Sequence, residues 1–383
     1  MTETSTIAAP AQPSPDARST ETPPHFLADL YTFKWTQFDL RLPLMSGLAV
    51  ALCLFVGVAV GHPGGGLIAG GGALTIGFGA NQRIADSRLM PMLLAVFAMS
   101  TATLAGTIVG HRGYELIVAS AASAAIYGVL TVRNSGLSWV GQQASVALFV
   151  ASAFPSGPRP ALMRAGLIVL GGALQIAITT MGLRMIPELG RDLLAIPRSL
   201  YTTLYEERRE LLRRLQELPE ALPAPSRKAA LVYALRLVVT VALASELYRR
   251  MGIQSGYWVP MTALLVQKPE FFETLARALG RVGGTLVGAT LTTYIAAHAH
   301  LSPWALAGLA TFFAFLCFAT NAVNYGLFSV CITSYIVFLL SLNQIPGPEI
   351  AYRRAYCTTF GAVIALLIHL DALRRRRKVS VAS

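Results

Sequence analysis

Arg277 and Arg281 stand one helical turn apart at the end of GYWVPMTALLVQKPEFFETLARALGRVGG, residues 256–284. A planar guanidinium can grip a carboxylate through two parallel hydrogen bonds. Two of them at i,i+4 share one helix face, so this spacing suits capture of an organic anion. Gly284 and Gly288 continue the same stripe, and small residues there let another helix approach beside the cations. Tyr257 and Trp258 offer rings for an aromatic substrate, or for an interfacial belt. Lys268 adds a third cation ahead of the pair. A second reading makes Lys268, Arg277 and Arg281 positive anchors at a cytoplasmic membrane edge, with Glu273 pairing to Arg277.

These side chains need a scaffold, and the composition says what kind. Only 13% of the 383 residues are charged and 54% are hydrophobic, whereas soluble domains carry about 25% charged residues. The chain reads as an all-α polytopic membrane protein embedded in a lipid bilayer. Apolar segments fall at 43–61, 64–80, 89–110, 115–132, 136–154 and 164–186, then at 229–248, 256–267, 280–298, 302–320, 324–343 and 354–371. This predicts about twelve transmembrane helices arranged as two six-helix repeats, 43–186 and 229–373. Residues 1–42 read as a disordered cytoplasmic tail and pre-helix segment, being rich in Pro, Ser and Thr without a signal-peptide core. Residues 187–228, with LYEERRELLRRLQELPE, read as a short cytoplasmic amphipathic linker helix. Residues 374–383 read as a basic cytoplasmic tail. Basic residues concentrate in the loops that share a side with the termini, which puts both termini in the cytoplasm.

Several function classes are excluded. The formal charge of +12 is spread over loops and helix ends and forms no stripe interleaved with base-stacking aromatics, so nucleic acid is not the partner. Cys53, Cys317, Cys331 and Cys357 lie inside apolar segments without metal-ligand spacing, so no metal or disulfide framework is expected. No Walker, HExxH or GxSxG pattern occurs, which argues against ATP drive and against an enzyme. No cofactor is expected.

Two segments are unusual. The run from Tyr257 to Val266 is about half the roughly 20 residues that a membrane crossing needs, and Pro260 interrupts it. At the matching place in the first half, GGGLIAGGGALTIGFGANQR (64–83) is short and glycine-rich. Paired short or Gly/Pro-interrupted segments in two halves point to a substrate site between them.

Residues 256–288 resemble the fusaric acid resistance / aromatic acid exporter family, and are similar to the related plant aluminium-activated malate transporters. The shared pattern is an aromatic pair, V-P-x-T, an aliphatic run, a proline, then T-x-x-R-x-x-x-R and G-T-x-x-G. In this sequence those positions are Tyr257, Trp258, Pro260, Thr262, Pro269, Thr274, Arg277, Arg281, Gly284, Thr285 and Gly288. The first half lacks the aromatic pair and V-P-x-T. The resemblance implies a bacterial cytoplasmic-membrane efflux transporter of organic anions, aromatic carboxylates in particular. Efflux against a gradient needs coupling, and the proton gradient is the simplest drive. The malate-transporter likeness leaves open a passive organic-anion channel. It also implies a small organic anion as ligand, with a homo-oligomer or a periplasmic adaptor protein as partner. His369, inside the last apolar segment, is a candidate proton carrier because imidazole titrates near neutrality.

Overall fold

The computed structural model describes residue 33 and residues 41–84, 87–111, 113–183, 224–299 and 301–382. The expected linker residues 187–223 and most of the expected N-terminal tail lie outside these. The described residues form twelve α-helices. They are α1 (Arg41–Ala59), α2 (Pro63–Gly77), α3 (Leu89–Val109), α4 (Glu115–Arg133), α5 (Ser135–Ser152) and α6 (Pro158–Leu183), then α7 (Ala224–Met251), α8 (Trp258–Val266), α9 (Phe271–His298), α10 (Pro303–Thr320), α11 (Tyr325–Ser341) and α12 (Gly347–Ala382). A 3-10 turn (Phe78–Asn81) follows α2. Among the described residues there is no strand, only an isolated bridge between Ile84 and Ser87.

Local chemistry sets several helix starts. The Asn134 side chain accepts from the Gly136 and Leu137 amides to open α5, and Asn324 accepts from Leu327 to open α11. Ser302 does the same for α10, with Pro303 next in line, where the missing amide would have been unpaired anyway.

Five helices contain stretches long and apolar enough to cross a membrane: Leu42–Ala59, Leu89–Val109, Pro158–Met181, Ala229–Met251 and Pro303–Thr320. The helices run past the apolar windows in informative places. α9 begins at Phe271, nine residues before the window at 280, because Glu273, Arg277 and Arg281 lower hydropathy without interrupting backbone hydrogen bonding. α12 likewise extends from Gly347 through the RRRRK run to Ala382.

Packing follows a definite plan. In the first half α1 packs on α2 and α6, α2 on α6, α3 on α5 and α6, and α4 on α5. In the second half α7 packs on α8 and α12, α8 on α12, α9 on α11 and α12, and α10 on α11. Between the halves, α4 lies along α7 and α1 along α10. One apolar core gathers α4, α5, α7, α8 and α12 around Trp258 and Leu264. Another gathers α1, α2, α10 and α11 around Phe318 and Phe338.

Candidate anion site

α8 is the element around which the site is built. Its nine residues rise only about 14 Å at 1.5 Å per residue, and all except Leu265 are buried. Pro260 does not kink a longer helix, as its place inside an apolar run suggests. It occupies the first turn of α8, where a missing amide costs no intrahelical bond. The interruption lies just before it, in the turn 252–257, where Gly252 and Ser255 take positive φ values of 59° and 57°. Gly361 of α12 lets α8 sit close: a Cβ there would fall 2.4 Å from the Val259 carbonyl oxygen and 3.0 Å from Thr262 Cβ. Thr262 is thereby buried in the α8–α12 contact, its hydroxyl without a hydrogen-bond partner.

The chain leaves α8 through Gln267 and Lys268, and a polar relay holds this exit. The Lys268 amide donates to Thr274 Oγ1 at 2.9 Å. Thr274 Oγ1 is also 3.1 Å from His369 Nδ1, and His369 Nε2 is 2.8 Å from Arg236 Nη1. A guanidinium only donates, so Nε2 accepts and Nδ1 carries the proton toward Thr274. Thr274 therefore fastens the loop to α12 and, through His369, to α7. Pro269 is exposed on that loop. Lys268 is partly buried, and desolvation with Arg277 nearby brings its ammonium down from 10.5 to about 8.

From Thr274 the helical stripe proceeds through Arg277, Arg281, Gly284 and Gly288. A Cβ on Gly284 would meet the Gly326 carbonyl oxygen and Ser329 Cβ, each at 2.5 Å, and one on Gly288 would meet the Val330 carbonyl oxygen at 2.7 Å. The glycines thus seat α9 directly against α11, as their spacing predicts. Thr285 Oγ1 lies 3.5 Å from Thr333 Oγ1 on α11. Arg277 is partly exposed, its guanidinium carbon 4.2 Å from the Tyr325 ring centroid. Arg281 is 4% exposed.

One arginine in this neighbourhood was not singled out by sequence. Arg354 of α12 is fully buried. Its guanidinium carbon lies 4.1 Å from the Trp258 ring centroid, and Nε donates to Thr333 Oγ1 at 3.2 Å. Tyr257 and Trp258 are themselves buried, with ring centroids 4.8 Å apart, which places them inside the bundle and not in an exposed belt. Helical phase is the signal that separates Arg354 from its neighbour. Arg353 pairs with Glu349 one turn away, whereas Arg354 shares a buried stripe with Ile350, Ala351, Cys357 and Thr358.

Among the described residues, the ion pairs join Glu246 to Arg249 and Arg250, and Glu349 to Arg353. Arg277, Arg281 and Arg354 have no carboxylate partner there, and Glu273 does not pair with Arg277. The buried Nε atoms of Arg277 and Arg281 and both Nη atoms of Arg354 have no acceptor. Arg277 and Arg354 each lie over an aromatic ring, that of Tyr325 and that of Trp258, and Arg281 is buried on α9 one turn after Arg277. Among the described residues no cluster of His, Cys, Asp or Glu could hold a metal ion.

Residues 239–368 match the model of the fusaric acid resistance protein-like family. The 256–288 pattern and all three arginines lie within the matched region. The relatives are distant. The uncharacterized transporter YdhK of Salmonella typhimurium is 27% identical over 120 residues, covering 31% of this chain and 18% of that protein. The uncharacterized protein ORF2 of Neisseria gonorrhoeae is 28% identical over 136 residues, covering 35% of this chain and 32% of that protein. YdhK of Escherichia coli K12 is 31% identical over 72 residues. The chain thus matches a third or less of the length of these relatives. No solved structure matches it.

Proposed function

We propose that this chain is a multi-pass transporter of the bacterial cytoplasmic membrane that exports organic anions, aromatic carboxylates foremost, from the cytoplasm. The observation that carries the reading is the set of guanidiniums at Arg277, Arg281 and Arg354, buried or partly buried among Tyr257, Trp258 and Tyr325, without a carboxylate partner among the described residues. Burying cations without counter-ions is unfavourable, and an anionic partner relieves that cost. The matched family and the transporter naming of its YdhK relatives support the same reading.

In this scheme Lys268 and Arg277 draw the anion in at the α8–α9 end. Arg281 and the aromatic pair receive it within the bundle, while Thr262, Thr274 and Thr285 position α8 and α9 around it. The two halves act as six-helix repeats related by an axis along the membrane normal. Support comes from the pairings: each one named within the first half recurs six helices later, and α4 on α7 has its counterpart in α10 on α1. Both termini are cytoplasmic, and the working unit is a homo-oligomer or a complex with a periplasmic adaptor protein. Efflux against a gradient is driven by protons.

A passive anion channel is the second reading. It is favoured by His369, which is engaged on both ring nitrogens by Arg236 and Thr274 and so is poorly placed to shuttle protons. Uptake of labelled benzoate into inverted membrane vesicles, relative to vesicles lacking the protein, tests both. The exporter gives saturable uptake that rises with an acidic lumen and collapses with an uncoupler. The channel gives saturation-free uptake that follows the electrochemical gradient of benzoate and persists when the pH gradient is removed at a clamped membrane potential. No excess uptake under either condition contradicts both.

A further inference from the structure

Among the described residues, Arg354 of α12 presents a binding edge without an acceptor. Arg354 is fully buried. Its Nε is committed to Thr333, its face lies on Trp258, and Nη1 and Nη2 are shielded from solvent and have no acceptor. A buried arginine that only braces a fold has its donors met by carbonyls or a carboxylate. Arg353, its neighbour in sequence, behaves that way through Glu349. The unoccupied Nη1–Nη2 edge is the side of a guanidinium that takes a carboxylate with two parallel bonds.

We propose that Arg354 and Trp258 form a second anion station, beyond the Arg277–Arg281 pair, that holds the carboxylate of an aryl acid. This rests on the reading of the chain as an organic-anion transporter. Arg354 reaches α9 through Thr333, whose hydroxyl lies 3.5 Å from that of Thr285, one turn from the buried Arg281, so one carboxylate held there relieves two buried cations at once and links the stations on α9 and α12. Trp258 stacks on the guanidinium and touches Tyr257, which sets aromatic surface beside the bound carboxylate. The station therefore prefers benzoate to cyclohexanecarboxylate, which has the same charge and similar size without the π-face.

The test is calorimetric titration of the purified full chain in lipid nanodiscs with benzoate, cyclohexanecarboxylate and chloride. Benzoate should bind wild type most tightly. Arg354→Gln should weaken it roughly tenfold to a hundredfold, the loss of a charge-assisted bond in a desolvated site. Trp258→Leu should abolish the preference over cyclohexanecarboxylate, and Arg353→Gln should change nothing. Arg354→Gln that melts earlier but binds benzoate like wild type identifies a bracing arginine and overturns the station. If benzoate affinity is then lost in Arg277→Gln or Arg281→Gln, the transporter reading stands without it. A folded wild type that binds none of the three anions overturns both. Should Arg354→Gln fail to fold, Arg354→Lys serves. It keeps the charge and loses the fork, so weaker benzoate binding supports the station and unchanged affinity overturns it.

Discussion

A guanidinium removed from water loses several kcal/mol of solvation, and stacking on one aromatic face returns about 2 kcal/mol at most sites of this kind. Arg281 and Arg354 therefore weaken the empty protein, and replacing Arg281 with an apolar side chain of similar length should not. We predict that Arg281→Met leaves the melting temperature in detergent unchanged or raised, by the equivalent of about 1–4 kcal/mol. A clear fall in melting temperature would reveal an unrecognised structural partner. Lys268 yields a pH prediction. Its ammonium titrates near 8 because burial and Arg277 disfavour the charged form, so it loses its proton as pH rises from 7 to 9. If Lys268 attracts the anion, apparent KM rises over that interval, and Lys268→Gln flattens the rise. A profile identical in wild type and variant contradicts a role in attraction. The one-turn spacing of Arg277 and Arg281 was legible in the sequence because a helix converts spacing directly into a shared face. Arg354 was not, because adjacent basic residues read as a loop anchor until the phase of α12 sends them to different faces.

At the scale of elements, the close seating of α9 on α11 depends on glycine at defined places. Gly284→Ala places a methyl group 2.5 Å from the Gly326 carbonyl oxygen, and forcing the helices apart should cost about 1–3 kcal/mol. Gly283, one residue earlier, has open space around its Cβ position. There the same change should stabilise by about 0.5–1 kcal/mol through helix propensity. Thermal unfolding of both variants checks the pair, and equal effects would contradict the packing. The shortness of α8 was legible from 256–267, and so was the glycine stripe. The role of Pro260 was not. Hydropathy marks where apolar residues run, and only the backbone of 252–257 shows that the helix starts at Trp258. The early start of α9 was hidden for the related reason that charged residues carry helical hydrogen bonds as well as apolar ones do.

At the scale of the molecule, the halves interlock, α1 lying along α10 and α4 along α7. A Cβ on Gly47 would sit 3.5 Å from Phe315 Cβ, within the range of about 3.5–4.5 Å that a disulfide spans. We predict that Gly47→Cys/Phe315→Cys, oxidised in membranes, keeps the halves together on a non-reducing gel after cleavage at a protease site inserted in 187–223. Separation of the halves would contradict the interlock. That the described residues form twelve helices was legible from hydropathy. Which helix of one half meets which of the other was not, because apolar surface in lipid carries no address.

The central claim is that the α9 arginines bind the transported anion, and transport kinetics of four folded variants test it most directly. Arg277→Gln and Arg281→Gln should each raise apparent KM for benzoate by roughly tenfold to a hundredfold, the loss of a charge-assisted bond in a desolvated site. Arg277→Lys and Arg281→Lys should recover only part of it, since an ammonium lacks the planar fork. Unchanged KM in both Gln variants, at equal amounts of folded protein, would remove these arginines from the site. Full recovery by Lys together with poorer membrane insertion of the Gln variants would make them anchors instead.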